Sequence, residues 1–245
     1  MTYNIHHGAN SSDDPSLDQI IEIIGSFEPD VVGLQEVDRH WSQRSGFADQ
    51  VTEIALRLDM HYFFAPIYDL EPEEGSERRQ YGLAILSNFP LVTGRNLMMS
   101  RLTTISDEPQ IERLGGFAHV SINVDGRDVQ LFNVHLDYRS DPSVRTVQVQ
   151  ETVAAIREAD GSVVLMGDFN AEPGAAELDR LQEFLLDAWH GREGAGHTYP
   201  SIDASKRIDY IFVSPGVQID SAFVLTGTAS DHKPVGAVIR LPLEK

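Results

Sequence analysis

Apolar runs in this 245-residue chain are short, about four to eight residues each, and several end on or are broken by an acid, an amide or an imidazole. Runs of that length are strands or buried helix segments, and they are too short to span a bilayer. A polar side chain recurring at the ends of buried strands constrains the fold further. Burying a carboxylate without a partner is costly, so such ends must meet one another, a cation or water. Val163-Val164-Leu165-Met166 is the plainest case, since Gly167-Asp168-Phe169-Asn170 follows it at once.

Helical and extended patterns alternate along the chain. Leu17, Ile20, Ile21 and Ile24 keep helical spacing over residues 17–27, after the start signal Asp14-Pro15-Ser16. Residues 48–59 and a stretch beginning at Asp141-Pro142 and running to about Glu158 predict two more helices, and 174–188 a fourth. Strands are predicted at 31–34, 62–66, 82–87, 91–98, 115–124, 128–136, 162–167, 208–213, 217–225 and 235–241, with a clipped strand at the start. Asp125-Gly126 is a hairpin turn signal. Residues 69–80 (DLEPEEGSERRQ) predict an exposed loop. Hairpins and helices in both halves, without a linker or a repeat, predict one α/β domain over 1–245: two packed mixed sheets with helices outside.

The polar residues in or beside these runs are Asn4, Glu36, His135, Asp168, Asn170, Asp209, Asp231 and His232. Each has an ordinary reading. Asn4, Asn170 and Asp231 suit turns, Glu36 could open a polar loop, and a lone strand histidine such as His135 is commonly a satisfied core group. Asp209 inside Ile208-Asp209-Tyr210-Ile211-Phe212 is harder to explain that way. Convergence on one site accounts for all of them together. Asn, Asp and Glu offer hard oxygen donors, which suit Mg²⁺ or Mn²⁺ and do not suit zinc.

Seven segments in order carry a resemblance: TYNIHHG (2–8), LQEVD (34–38), YGLAILS (81–87), NVHLD (133–137), GDFN (167–170), RIDYIF (207–212) and SDHKPV (230–235). With these motifs the chain resembles the endonuclease/exonuclease/phosphatase superfamily, which includes pancreatic deoxyribonuclease, neutral sphingomyelinases and inositol polyphosphate 5-phosphatases. The resemblance implies a four-layer α/β sandwich with the site at one edge of the sheets. It implies a metal site at Glu36, with Asn4 and Asp231 beside it. Asp168 and Asn170 would orient water and a phosphate oxygen. His232 would be the general base or a charge-stabilising imidazolium, held by Asp209, and His135 would donate to a phosphate oxygen. Tyr81 would line the site, and His7 rather than His6 would face it, if the strand alternates there. Arg139, Arg79 and Arg44 are the candidate phosphate clamps, with Arg145 also near a motif. A glutamate that supports the first histidine in the pancreatic nuclease has no counterpart in Arg78-Arg79-Gln80.

Charge narrows the substrate. Nineteen basic against 38 acidic residues give −19, and such a chain is repelled from long polyanions. The expected activity is therefore Mg²⁺- or Mn²⁺-dependent hydrolysis of a small or lipid-linked phosphodiester. A nuclease is the alternative, and a catalytically silent binding module the alternative of another class. The absence of cysteine removes disulfides and thiolate sites without fixing a compartment. A chain starting at Met1 would be cytoplasmic, whereas one extending upstream of the clipped strand could carry an export signal.

Overall fold

The computed structural model describes residues 1–73 and 75–242. Twelve strands form two six-stranded sheets, with four helices around them. The first sheet contains β1 (Thr2–Asn4), β2 (Val31–Arg39), β3 (His61–Leu70), β4 (Arg79–Ser87), β11 (Gln218–Val224) and β12 (Val235–Arg240) in the order β11-β12-β1-β2-β4-β3. The second contains β5 (Leu91–Leu102), β6 (Ile111–Val124), β7 (Arg127–His135), β8 (Ser162–Asp168), β9 (Leu186–Asp187) and β10 (Asp209–Val213) in the order β5-β6-β7-β8-β10-β9. Read across in these orders, both sheets have one central parallel pair, β1 with β2 and β7 with β8, flanked by antiparallel pairs.

Side-chain alternation builds the layers. Leu165 and Val163 on β8, with Tyr210 and Phe212 on β10, face α3 (Ser143–Arg157) and α4 (Ala176–Gln182). Their neighbours Val164, Met166, Ile211 and Val213 face the other way and form the core between the sheets, with Ala65, Ile85 and Val235. Tyr3, Val32, Leu34, Ala84 and Leu86 pack the outer face of the first sheet against α1 (Leu17–Ser26) and α2 (Gln50–Leu58). A strand buried on both faces must be apolar at every position. That is why β8 and β10 read as continuous apolar runs, and why Asp168 and Asp209 stand out.

Several boundaries differ from the sequence reading. The strand expected at 31–34 continues to Arg39 through an irregularity between Leu34 and Val37. β3 and β4 pair as far as Leu70 and Arg79, which shortens the loop expected at 69–80; Glu74 lies outside the described residues. The helix expected over 174–188 ends at Gln182, because Leu186–Asp187 pairs with the free edge of β10. Asp125 and Gly126 both take positive φ, 52° and 85°, as a two-residue hairpin turn requires.

Candidate active site

Three adjacent strands place three functional groups in one row. His135 at the end of β7 is in register with Asp168 on β8, and Asp168 is in register with Asp209 on β10. The parallel pair of the other sheet supplies Asn4 at the end of β1 and Glu36 on β2. Glu36 sits at the β2 irregularity with φ 58°, so the strand bends there and re-aims the carboxylate. The segment before β12 adds Asp231 and His232. It is strapped to residues 198–201: the Ser201 amide donates to Asp231 O at 2.6 Å and the Lys233 amide to Thr198 O at 2.8 Å.

The contacts are close. His232 Nδ1 lies 2.9 Å from Asp209 Oδ2, and both groups are buried. Asp209 can only accept from His232 Nδ1–H when ionised, so this bond fixes the ring and turns Nε2 toward Asp168 Oδ2, 3.6 Å away. His135 Nε2 is 3.5 Å from the same oxygen and 4.0 Å from Glu36 Oε1. The Asn4 amide nitrogen donates to Glu36 Oε1 and Asp168 Oδ2, both at 3.1 Å, while its oxygen accepts the His6 amide at 3.0 Å. Asn4 bridges two carboxylates and accepts the His6 amide on one of its oxygen's two lone pairs. Asp168 Oδ1 accepts the Asn170 amide at 2.9 Å, and the Asn170 side chain donates to Leu136 O at 3.0 Å.

These surroundings shift the titration of each group. Burial pushes the Asp168 carboxyl up to about 6, against the pull of His232 and His135. Burial alone would lower His232, but Asp209, Asp168 and Asp231 outweigh it and push the imidazolium up to about 10. Burial also works against the ionised form of Glu36, yet His135 and the Asn4 bond hold its pKa below the ordinary value.

A cavity of about 670 Å³ opens over this row. Glu36, His135, Asp168, Asn170, Asp231 and His232 line it, and so does Tyr81. His7, Arg44, Arg79 and Arg139 do not. Arg44 forms a two-bond ion pair with buried Asp38, at 2.6 and 2.8 Å, and lies over Trp41 and Tyr81. Arg79 reaches Glu73 at 3.0 Å, and Arg139 is paired with Asp137. Arg145 reaches the cavity, already paired with Glu177 at 2.9 Å. His6 and His7 do not alternate along a strand: they form a 3₁₀ turn, His6–Gly8, in which both have positive φ.

Two contributors escaped the sequence reading. Arg101 on β5 is buried at the cavity and donates to three backbone carbonyls, Gly115, Gly116 and His135, at 2.7–2.9 Å. Its bond to the His135 carbonyl holds the backbone of that histidine. Arg101 lies beyond the strand expected at 91–98, which in the structure runs on to Leu102. Tyr199 lies 4.8 Å, ring to ring, from His232, in a loop without a local signal.

Six carboxylates line the cavity (Glu36, Asp137, Asp168, Glu172, Glu177 and Asp231) against three permanent cations, Arg101, Arg145 and Lys206. Arg101 is turned to three backbone carbonyls and Arg145 is paired with Glu177, so the cavity interior is an anion-rich, hard-oxygen environment. Asp168, Asp209 and His232 also lie close enough together to hold an ion. The donor chemistry fits a divalent cation.

The two-sheet α/β sandwich, with a His–Asp pair and a carboxylate cluster gathered at the strand ends, is a phosphoesterase-type fold. The chain belongs to the endonuclease/exonuclease/phosphatase family, whose model matches residues 1–232. It is 23% identical over 234 residues to a Drosophila melanogaster protein called "Putative neutral sphingomyelinase", an alignment covering 84% of this chain and 49% of that protein. The chain thus spans about half that relative's length. Among solved structures, it is similar to an endonuclease/exonuclease/phosphatase from Beutenbergia cavernae, with TM-score 0.73 and 24% identity over 98% of this chain and 70% of the other. It is also similar to a mannosyl-6-phosphatase from Bacteroides thetaiotaomicron, with TM-score 0.71 and 21% identity over 98% of both chains.

Proposed function

We propose that this protein is a divalent-metal-dependent phosphoesterase that hydrolyses a phosphodiester of small-molecule or phospholipid type. The charge of the cavity carries the reading. Asp137 and Glu177 are paired with arginines, but Glu36, Asp168, Glu172 and Asp231 have no arginine or lysine partner among the described residues, and they repel an anionic phosphate until a cation neutralises them. Glu36 and Asp231 would hold Mg²⁺ or Mn²⁺, and Asn4 would orient Glu36 and Asp168 around it. When bound, the ion would supply charge neutralisation for the phosphate and for the departing oxygen.

The side chains divide the remaining work. Asp168 and Asn170 orient the attacking water against phosphorus. His232, aligned by Asp209, exchanges a proton at Nε2, which faces the cavity. His135 donates from Nε2 to a non-bridging oxygen. Tyr81 and Tyr68 give one wall an aromatic surface suited to the apolar or ring face of a leaving group.

The names of the relatives include a diesterase and a monoesterase, so both substrate types need testing. A nuclease is less well supported: the net charge of −19 and the acidic lining oppose a nucleic-acid backbone. A silent binding module would have no need of a His–Asp pair aligned at 2.9 Å.

Hydrolysis of bis-p-nitrophenyl phosphate with Mg²⁺ or Mn²⁺ tests the reading, with p-nitrophenyl phosphate and plasmid DNA in parallel. His232→Ala should lose about 10²–10⁴-fold in kcat. Metal-dependent cleavage of plasmid alone would turn the assignment to a nuclease. Cleavage of the monoester alone would make it a phosphatase. Equal activity in the variant would remove His232 from the mechanism.

A further inference from the structure

We propose that His6, His7 and Asp13 form a second metal site, of the zinc type, beside the candidate active site. The inference is independent of the hydrolase reading, because it concerns binding at residues outside the catalytic row.

The ligand atoms are already gathered. His6 Nε2 and His7 Nε2 lie 3.8 and 3.9 Å from the same oxygen, Asp13 Oδ1. One ligand atom from each residue fits within 4.8 Å of the others. Four-coordinate zinc, with Zn–N about 2.0–2.1 Å, needs its ligands roughly 3.3 Å apart. The existing separations are about half an ångström longer, and the Asp13 side chain, 78% exposed, has room to move inward. Two imidazoles and one carboxylate leave one position open, and imidazole selects zinc over the Mg²⁺ that suits Glu36 and Asp231.

The backbone gives a second argument. His6 and His7 have φ 45° and 46°, followed by Gly8 at 77°. Two successive non-glycine residues in the left-handed region cost roughly 1–2 kcal/mol each, and strain of this kind collects at ligand sites. Here the turn sets the two rings 4.3 Å apart on one side of the chain. A separate turn brings the acid over them: Asn10 Oδ1 accepts the Ser12 and Asp14 amides at 2.8 and 3.1 Å, which presents Asp13.

The third argument is a missing partner. His6 Nδ1 is buried and makes no hydrogen bond, yet it lies 4.0 Å from Asp231 Oδ1. A histidine that ligates through one nitrogen commonly donates its other N–H to a carboxylate. Zinc on His6 Nε2 would fix the proton on Nδ1 and draw that N–H to Asp231. Asp231 would then stand between the two centres and link their occupancy.

Equilibrium dialysis of the full chain, stripped with a chelator and then loaded with Zn²⁺ over excess Mg²⁺, reads the site directly. Wild type should bind one more zinc than Asp13→Asn or His7→Asn, with at least about 10-fold weaker binding of that ion in each variant. Glu36→Gln should keep it, and zinc-edge X-ray absorption should report two imidazole nitrogens on it. Unfolding midpoints check that each variant is folded; Asp13→Asn, at an exposed turn position that asparagine tolerates, keeps the test decisive if His7→Asn unfolds. The same zinc count in wild type and both variants, or loss of the imidazole-bound zinc in Glu36→Gln alone, overturns the proposal. Neither outcome bears on phosphodiester hydrolysis, which is not measured.

Discussion

Gly167 shows how little freedom the GDFN segment has. Its φ is 148°, and a Cβ there would lie 2.0 Å from the Val134 carbonyl oxygen, so any side chain would push β8 away from β7 and Asp168 away from His135. The acids and His232 were legible because ionisable groups inside apolar strands need partners. The two histidines after Asn4 were only half legible, since alternation assumes that the strand continues and the chain instead turns left-handed at His6. That turn makes a prediction for His7. Its pKa is lowered to about 4 by burial first, then by Arg44 and His6, against Glu36 and Asp13, whereas the unfolded chain titrates near ~6.5. The unfolded state therefore binds more protons between those values, and stability should fall as pH drops from about 6.5 to 4. Asparagine tolerates the left-handed backbone and does not titrate, so His7→Asn should lose less of its urea midpoint than wild type between pH 7 and pH 5. Equal losses would mean that His7 carries none of the acid sensitivity.

At the scale of elements, the motifs do two kinds of work. In LQEVD and NVHLD, Glu36 and His135 reach the cavity, while Gln35 and Asn133 tie the sheets together. Asn133 on β7 donates to Leu34 O and Ala84 O of the other sheet, both at 2.8 Å, and accepts from Gln35 Nε2 at 2.7 Å. The same glutamine donates to Thr2 Oγ1 at 3.0 Å. This polar link holds β1, β2, β4 and β7 in register behind the site, and an alternating pattern cannot reveal it, because Asn133 occupies an inward position that hydrophobicity alone would give to leucine. Asn133→Leu should therefore destabilise the protein by about 2–4 kcal/mol, since it strands two buried carbonyls and an amide. Chemical denaturation measures the loss, and an unchanged midpoint would show the link to be dispensable. Strand lengths were underestimated for a related reason. Polar residues at Asp38, Arg39 and Gln80 continue the β2–β4 ladder beyond the apolar run, and Arg79 continues the β3–β4 ladder; backbone pairing there is supported by neighbours rather than by local composition. Residues 183–188 left their helical pattern for the same cause, because the edge of β10 was available to them.

The whole molecule joins two sheets of one pairing pattern so that both parallel pairs end at the same edge. β1 and β2 deliver Asn4 and Glu36, and β7 and β8 deliver His135 and Asp168, against the segment carrying Asp231 and His232. Two packed mixed sheets with helices outside were readable from the mix of hairpins and helices, and the four-layer order came from the family resemblance. The meeting of the two parallel pairs was not readable, since it depends on contacts between residues more than a hundred positions apart, such as Asn4 with Asp168. A core shared between the sheets supports the proposal that 1–245 unfolds as one unit, and the anionic cavity makes that unit responsive to cations. Four carboxylates, Glu36, Asp168, Asp209 and Asp231, are gathered around two histidines, so the proposed divalent ion would bind the folded chain far better than the unfolded one. A ligand at about 100 times its Kd stabilises by roughly 2.7 kcal/mol, and a domain of this size gains about 2–4 °C per kcal/mol. Saturating Mg²⁺ or Mn²⁺ should therefore raise the Tm of chelator-treated protein by about 5–10 °C, in a single transition, and Glu36→Gln should remove most of that rise. If the variant gains as much as wild type, the stabilising ion does not depend on Glu36, and the Asp168–Asp209–His232 cluster becomes the first place to look. Two separate transitions would divide the chain into independent units and place the shared edge between them.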